Sequence, residues 1–523
     1  MVNSFAYGFG IVFQLAPPAA PGGEWSFTTI YSFPGGNDGG DPSSITADSA
    51  GNLYGTDLGN TTFELTPPAT PGGAWTETTL YTFTGGSAGD GPTGLVLGPH
   101  GSLYGVTWFG GTANCQYGNA TGCGTVFELS PPGEPGGAWT ESILYAFSGG
   151  SDGGAPNPGL VLGPDGTIYG SSRIGAQSDG PAFPGNVFQL SQAGSGWTET
   201  TLYQFGTGSY APDPAAVMLD PGGSLLASIG TNNGGVVKLT PPSAPGGAWT
   251  EKPVYDFAPY SDGSEPVTSV TFDSTGAIYG ATYSGGSAPC ACGAVFKVTP
   301  PQSAGQPWNE TLLYSFIGGS DGQEPAAGVV MDSGGTLYGT TYYRGASPNP
   351  SGTAFRLAAP TSQGGAWTKT VLHNFGNGHD GAGPNSDLIF GDHGELYGTT
   401  YAGGTYQHGA VFQLSPPEAP GAAWNERVIY SLLARQDSID PVALAFRNGV
   451  LYGVAAGHNT QYGSVFRLTP PAIEGAEWNF TVLYAFTGQE YGAYPTPTLL
   501  FDDSGSIYGT TADGGGRVLP DKI

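Results

Sequence analysis

Residues 92–147 read PTGLVLGPHGSLYGVTWFGGTANCQYGNATGCGTVFELSPPGEPGGAWTESILYAF, which is one full structural unit. The unit predicts four short strands, at residues 94–97, 103–106, 125–129 and 139–147, because these segments are rich in branched and aromatic residues. Glycine between the first two strands supplies the positive φ that a tight turn needs. The PPGEPGG segment makes the last reversal, since proline cannot continue a central ladder.

The same unit recurs along the whole chain. Nine tryptophans occupy its GGAW position at intervals of 50 to 64 residues: Trp25, Trp75, Trp139, Trp197, Trp249, Trp308, Trp367, Trp424 and Trp478. The 92 glycines and 45 prolines exclude long helices. Four antiparallel strands in each repeat are typical of a propeller blade. We therefore predict an all-β fold, a β-propeller of nine four-stranded blades that forms a single domain over residues 1–523.

The two ends of the chain complement each other. Residues 8–34 supply the third and fourth strands of a unit, and residues 495–516 supply the first and second. Pairing these half blades would close a ring and leave no exposed sheet edge. Because nine blades exceed the usual range of about four to eight, an open array of repeats is the alternative.

The charge balance excludes several partners. Forty-one acidic residues face 13 basic ones, for a formal net charge of -28. So acidic a surface repels phosphate backbones, so we expect no nucleic-acid partner. No run of 18 or more apolar residues occurs, so we expect no membrane insertion. No signal peptide is evident at the start, and we expect a monomer.

The four cysteines form two close pairs, Cys115 with Cys123 and Cys290 with Cys292, in loops at equivalent repeat positions. This pattern favours two local disulfides, and disulfides indicate an oxidising compartment. A zinc site is the alternative, although the two pairs fall in non-adjacent repeats.

One face of the predicted propeller carries the variable loops. Consecutive strands alternate direction, so the loop between the second and third strands and the loop joining successive units leave the same face, which we call the variable-loop face. Variable loops on a rigid scaffold commonly carry function. The candidate ligand-binding residues there are Trp108, Phe109, Tyr117, Tyr283, Tyr342, Tyr343, Arg344, Tyr401, Tyr406 and His408. Trp108 is the leading aromatic candidate because it lies outside the repeated tryptophan pattern.

Aromatic side chains beside the acids of the inter-unit loops suit sugar rings, which offer apolar faces and hydroxyls. The alternative is that the tyrosines cover blade interfaces and the acids cap turns. The repeated tyrosines of the LYG phrase are assigned to packing. Asp38, Asp41, Asp152 and Asp321 are candidate calcium ligands, although no segment has the spacing of an EF-hand loop. We expect no other cofactor.

The phrases LYGTT, VFEL or VFQL, and GGAW, in this order around a Gly-rich loop, resemble the choice-of-anchor tandem GloVer repeat family from Val12 to about Gly516. This resemblance implies a bacterial surface or secreted protein, normally with a signal peptide and a C-terminal sorting anchor, neither of which is evident here. It supplies no activity.

The resulting hypothesis is an extracellular, non-catalytic binding or display module for carbohydrate or another cell-surface polymer. One alternative is a propeller polysaccharide lyase or glycosidase, whose catalytic residues the sequence does not identify. No hydrolase or nucleotide-binding motif supports an enzyme. Another alternative is a structural or adhesive scaffold.

Overall fold

The chain folds into many short strands. The computed structural model describes residues 9–18, 23–34, 40, 42–57, 59–70, 73–117, 120–134, 136–173, 185–194, 196–204, 213–219, 223–230, 235–241, 249–256, 263–267, 270–300, 308–343, 351–362, 365–376, 379–417, 419, 422–433, 441–455, 462–471, 473, 478–488, 491–496 and 499–513. In these ranges there is no α-helix, and short 3₁₀ helices occur at Gly86–Ala88, Pro99–Gly101 and Gly319–Asp321. No helix there is long and apolar enough to cross a membrane.

The strands in chain order are β1 (Ile11–Ala16), β2 (Ser26–Ser32), β3 (Pro42–Ala47), β4 (Leu53–Asp57), β5 (Thr61–Thr66), β6 (Thr76–Thr82), β7 (Asp90–Leu97), β8 (Leu103–Phe109), β9 (Gln116–Tyr117), β10 (Ala120–Thr121), β11 (Thr125–Ser130), β12 (Thr140–Ala146), β13 (Gly154–Pro156), β14 (Val161–Leu162), β15 (Ile168–Arg173), β16 (Asn186–Ala193), β17 (Gly196–Gln204), β18 (Asp213–Leu219), β19 (Leu225–Gly230), β20 (Gly235–Thr240), β21 (Thr250–Asp256), β22 (Ser264–Pro266), β23 (Thr271–Phe272), β24 (Ile278–Ser284), β25 (Ala294–Thr299), β26 (Asn309–Ser315), β27 (Val330–Met331), β28 (Leu337–Thr341), β29 (Thr353–Ala358), β30 (Thr368–Asn374), β31 (Ala382–Pro384), β32 (Ile389–Phe390), β33 (Leu396–Ala402), β34 (Ala410–Ser415), β35 (Asn425–Ser431), β36 (Pro441–Arg447), β37 (Val450–Ala455), β38 (Ser464–Thr469), β39 (Asn479–Ala485), β40 (Ala493–Pro495), β41 (Leu500–Phe501) and β42 (Ile507–Asp513).

These strands pair into antiparallel sheets, which we number along the chain. Within the described residues there are nine, besides a two-stranded ribbon of β9 and β10. Sheet 1 contains β1, β2 and β40–β42; sheet 2, β3–β6; sheet 3, β7, β8, β11 and β12; sheet 4, β13–β17; sheet 5, β18–β21; sheet 6, β22–β26; sheet 7, β27–β30; sheet 8, β31–β35; and sheet 9, β36–β39. The predicted all-β fold of repeated four-stranded sheets is confirmed.

The glycine of the LYG phrase lies opposite the phenylalanine of the VF phrase in every sheet that has both. In sheet 3, Gly105 lies opposite Phe127, and a Cβ on Gly105 would be 2.5 Å from Cζ of that ring. The phenylalanine therefore lies across a residue that must have no side chain. The same contact recurs between Gly55 and Phe63, Gly170 and Phe188, Gly280 and Phe296, Gly339 and Phe355, Gly398 and Phe412, Gly453 and Phe466, and Gly509 and Phe13.

Aromatic rings also join neighbouring sheets. Phe83, after the last strand of sheet 2, packs against Phe127 of sheet 3 with ring centroids 4.8 Å apart. Trp139 of sheet 3 meets the LYG tyrosine Tyr54 of sheet 2 edge-on at 6.3 Å. The repeated tryptophans and LYG tyrosines thus pack between sheets, as predicted for the tyrosines, and such contacts hold the array together.

Sheet 1 draws strands from both ends of the chain. β1 pairs with β42, with Ile11 opposite Thr511. The same sheet packs on sheet 9, where the ring of Phe27 stacks on Tyr484 and Phe13 meets Phe486 at 5.2 Å.

The first strand of each unit follows two designs, where the sequence suggested one. It is continuous in sheets 2, 3, 5 and 9, but only short segments of it pair in sheets 1, 4, 6, 7 and 8. In sheet 3, two residues separate Pro92 from Leu95, whereas in sheet 4 three residues separate Pro156 from Leu160. The extra residue interrupts the ladder as a bulge does, and the same spacing rule holds in all nine sheets.

Candidate functional site

One repeat position places large side chains on the variable-loop face. It directly follows the last residue of the second strand that pairs with the third strand, such as Thr107 of β8, which lies opposite Thr125 of β11. The position is filled by Trp108 in sheet 3, Arg173 in sheet 4, Tyr283 in sheet 6, Tyr342 in sheet 7 and Tyr401 in sheet 8. These five side chains therefore emerge at equivalent places in their sheets. Four of the five residues, all except Arg173, belong to the predicted ligand-binding set.

Tyr283, Gln323 and Glu324, together with Tyr342 and Tyr343, form a group that we call the tyrosine–glutamate cluster. Tyr283 Oη donates a 2.7 Å hydrogen bond to Glu324 Oε2, and Gln323 Nε2 donates a 2.8 Å bond to Glu324 Oε1. Tyr342 and Tyr343 meet edge-on with centroids 4.6 Å apart. Sheets 6 and 7 thus present an oriented carboxylate and an aromatic pair.

Backbone contacts hold this cluster in place. Tyr343 N donates to Gln323 O and Gln323 N donates to Tyr343 O, at 3.2 and 2.9 Å. Tyr342 N donates to Glu324 O at 2.9 Å. Glu324 adopts a positive φ of 57° just before Pro325, a backbone state that costs energy and persists only where its surroundings enforce it. The 2.8 Å bond from Glu324 N to Cys292 O is one such contact.

A second group lies at sheets 3 and 4. The guanidinium of the exposed Arg173 lies 5.8 Å from the centroid of Trp108, which is 37% exposed. Arg173 Nε donates a 2.8 Å bond to Oδ1 of the buried Asn157, whose Nδ2 donates to Ser171 Oγ. Phe109 meets Trp108 edge-on at 6.4 Å. The guanidinium is therefore held over an aromatic ring by the bond that its Nε donates.

The other predicted aromatic residues do not join these groups. Tyr401 and Tyr406 are about half exposed, and no ring contact or hydrogen bond within the described part of the chain links them or His408 to either group. The backbone of Tyr117 lies in β9, paired with Ala120, and its side chain lies outside the description. Arg344, Asp38 and Asp41 lie outside the described residues.

The two described calcium candidates already accept hydrogen bonds from the protein. Asp152 accepts bonds from Tyr145 Oη at 2.9 Å, from Ser148 N at 2.7 Å and from Ser148 Oγ. Asp321 accepts a 2.7 Å bond from Tyr314 Oη and pairs with Lys369 Nζ at 2.7 Å. In the described ranges no three metal-binding side chains come together. Calcium binding stays a prediction.

Both cysteine pairs are disulfides in the structure, Cys115 with Cys123 and Cys290 with Cys292. The first joins the two residues that flank the ribbon of β9 and β10 along the chain, and both of its cysteines are buried. The second precedes β25, and Cys292 O receives the bond from Glu324 N that holds the tyrosine–glutamate cluster. The bridges therefore stabilise loops of the variable-loop face, one of them directly at the candidate site.

Sequence reasoning missed Arg173 and Asn157. Arg173 could have been found by aligning the units on the LYG phrase, because it then falls at the position of Trp108. Asn157 directly follows β13, between the two paired segments of an interrupted first strand, and no motif pointed to it.

No curated protein matches the chain. Among solved structures, the PQQ-bound aldose sugar dehydrogenase of Streptomyces coelicolor is 15% identical, with 58% of this chain and 90% of that chain covered and a TM-score of 0.30. PorZ, a surface component of the type-IX secretion system of Porphyromonas gingivalis, is 12% identical, with 83% and 53% covered and a TM-score of 0.33. At these scores nothing about activity follows.

The repeat family gives a stronger match. The sequence pattern described as the Gloeobacter/Verrucomicrobia repeat matches residues 113–347, 227–420 and 292–519, which overlap and together run from residue 113 to residue 519. The matched segments contain the LYG, VF and GGAW phrases of sheets 4 to 9. The chain belongs to the Gloeobacter/Verrucomicrobia repeat family.

Proposed function

We propose that this protein is a nine-bladed propeller, closed into one domain over residues 1–523, that binds carbohydrate or another surface polymer on its variable-loop face without catalysis. The pairing of β1 with β42 and the stacking of Phe27 on Tyr484 support closure. We also propose that it is secreted or displayed on the cell surface. Two disulfides support this location, since they persist in oxidising compartments.

The tyrosine–glutamate cluster carries the proposal. A carboxylate has about four lone-pair sites, and Glu324 uses two of them for Tyr283 and Gln323. The remaining acceptor sites suit hydroxyl groups of a sugar. Tyr343, 40% exposed, supplies a ring on which the apolar face of a pyranose packs. Because Glu324 is already held by two donors, little rotamer entropy is lost on binding.

The Trp108 and Arg173 pair offers a second contact of the same kind. Its indole gives an apolar surface, and its guanidinium gives hydrogen-bond donors. Together the two groups supply acceptors in sheets 6 and 7 and donors in sheets 3 and 4. A polymer with many hydroxyls matches both.

Affinity electrophoresis through a panel of polysaccharides tests the proposal, with and without calcium, followed by mass spectrometry of each polymer. We expect retardation by at least one polymer and no shortened products. Tyr343→Ala and Glu324→Gln should each weaken retention about tenfold, and Trp108→Ala less. Tyr406→Ala is the matched control, because Tyr406 is half exposed but lies outside both groups.

Each other outcome selects an alternative. Shortened products would make the protein a lyase or glycosidase. Absence of both retardation and products would favour the scaffold. Retention that requires calcium would support the prediction that aspartates of the inter-unit loops bind this metal.

A further inference from the structure

A groove of about 980 Å³ lies between sheets 8 and 9, on the face opposite the variable loops. It is bounded by turns, between β32 and β33 and between β34 and β35 on one side, and between β36 and β37 and after β38 on the other. All of its lining residues are described. Its volume lies at the upper end of the range of about 300–1,000 Å³ for sites of small ligands.

A polar row forms one wall of the groove. Tyr397, Gln413 and Arg427 lie opposite one another on three neighbouring strands of sheet 8. Gln413 Nε2 donates a 3.1 Å bond to Tyr397 Oη. The place of Arg427 is taken by Thr370 in sheet 7 and Thr481 in sheet 9, as the registers of those sheets show. Sheet 8 therefore differs from both neighbours where the groove lies.

The opposite wall opens because a turn of sheet 9 is short. Two residues, Asn448 and Gly449, join β36 to β37, whereas five residues join β32 to β33. Both turn residues have positive φ, the geometry of a tight hairpin. A Cβ built on Gly449 would meet no atom within 4 Å, so none of the described residues fills the space beside this turn.

The chemistry of the walls indicates the ligand. Glu395 and Asp392 supply acceptors, Arg427 supplies donors, and Asn425 supplies both. Phe446, half-buried, adds an apolar edge where it stacks at 5.6 Å on Tyr397. Two acids against one arginine, with His393 as the other ionisable residue of the lining, disfavour a phosphate or other strong anion. The lining also contains Trp478 and four prolines, Pro416, Pro417, Pro470 and Pro471. A wholly apolar ligand is still disfavoured, because it would leave the polar groups unpaired.

We infer that this groove is a second binding site, for a neutral oligosaccharide of two or more sugar units. Donors and acceptors together beside an aromatic edge match a ligand that has hydroxyls around an apolar ring face. The site is independent of the variable-loop face and goes beyond the function proposed there. With sites on opposite faces, one molecule can join two glycan chains.

Calorimetric titration of the whole protein with neutral gluco-, manno-, xylo- and chito-oligosaccharides of two to six units tests this inference. At least one series should bind. Arg427→Ala and Glu395→Ala should each weaken binding about tenfold, and Asn425→Trp, which fills the groove from an exposed position, should abolish it. Arg447→Ala, which removes a charge at the neighbouring cation–π contact with Phe501, should leave binding unchanged. Thermal melting confirms that each variant is folded.

The variable-loop variant Tyr343→Ala separates the two sites. Loss of oligosaccharide binding in Tyr343→Ala, with none in Asn425→Trp, would overturn the groove assignment while leaving the proposed function intact. Absence of binding by every series would also overturn it. Binding of a proline-rich peptide, lost in Asn425→Trp, together with no binding of sugars, would also overturn it, because the groove would then be a peptide site.

Discussion

The contact between sheets 3 and 4 and the contact between sheets 6 and 7 use the same repeat positions with opposite charges. In the first, Tyr145 donates to Asp152, and the facing residue of sheet 4 is Glu199. In the second, Tyr314 donates to Asp321, and the facing residue of sheet 7 is Lys369. The fold of the repeat therefore accommodates a negative or a positive side chain at this position. The difference teaches that charge at this position is set by local partners and not by the fold.

The two facing residues respond to burial in opposite ways. Burial, with a smaller contribution from Asp152, raises the pKa of Glu199 to about 7. Burial lowers the pKa of Lys369, although the hydrogen bond and charge of Asp321 oppose this. Lys369 Nζ also lies 4.7 Å from the ring centroid of Phe316. The lysine is therefore compensated by a carboxylate and a ring, whereas Glu199 faces a second acid.

Two further contacts show other solutions. Between sheets 7 and 8, His373 replaces the tyrosine and lies 2.9 Å from Asp380 and 3.9 Å from the facing Glu426. Between sheets 9 and 1, the facing residue is Phe27, stacked on Tyr484. A basic residue thus lies beside the carboxylate in the contact of sheets 6 and 7 and in that of sheets 7 and 8, and two aromatic rings meet in that of sheets 9 and 1.

Reversing the charge of Lys369 should have the largest effect. Lys369→Glu places a carboxylate beside Asp321 at a site where the lysine side chain is only 3% exposed. We expect the free energy of unfolding to fall by about 3–5 kcal/mol in urea titrations. Lys297→Glu is the control, because its pair with Asp273 is 3.6 Å long and partly exposed, and it should cost about 1 kcal/mol or less. Equal losses would mean that burial of the pair has no role.

Neutralising Glu199 should have a smaller, stabilising effect. Because its folded pKa is raised to about 7 from the ordinary 4.5, the unfolded chain releases the proton first, and stability falls as pH rises between these values. Glu199→Gln should therefore gain about 1 kcal/mol at pH 8 and nothing at pH 4. Chemical unfolding at both pH values measures this, with the exposed Glu134→Gln as control. A gain of equal size at pH 4 would refute an ionic origin.

The third effect, no larger than the second, should come from an acid that is favourably held. Burial pushes the pKa of Asp273 up, but hydrogen bonds from Thr275, Ala277 and Tyr279 outweigh it and lower the pKa to about 2. The resulting stability is present above the ordinary pKa of 3.8 and is lost as pH falls through 2.

Asp273→Asn should accordingly cost about 1 kcal/mol at pH 7, and its difference from the natural protein should vanish near pH 2. Acid unfolding followed by tryptophan fluorescence measures both. Asp503→Asn is the control, because Asp503 is exposed in the corresponding turn of sheet 1. It should cause no loss of stability, and a loss as large as that of Asp273→Asn would assign the effect to general surface charge.

The repeat made much of the fold predictable. Strands such as β8 and β11 follow from the LYG and VF phrases, and the half units at the two ends indicated the pairing that β1 makes with β42. The interruption of first strands was also readable, in the spacing from Pro156 to Leu160, but only once the units are aligned.

The sites were less predictable because they depend on relations between units. The bond from Tyr283 to Glu324 joins residues 41 positions apart and requires the relative placement of sheets 6 and 7. The groove beside Gly449 depends on a turn that differs from the others by its length. The bond is not a property of a single unit, and the short turn stands out only when the units are compared, which is why composition and motifs did not reveal either site.

The pairing of β1 with β42 also has a kinetic consequence. Most strand pairs join neighbours along the chain, but Ile11 N and Thr511 Oγ1 are separated by 500 residues. The entropic free energy of closing a loop of n residues grows as about (3/2)RT ln n. Pairing β1 with β42 therefore costs roughly 3 kcal/mol more of this free energy than closing a hairpin of about 20 residues. Sheet 1 should therefore assemble last and set the folding rate, and tension applied between residues 11 and 511 should open it first.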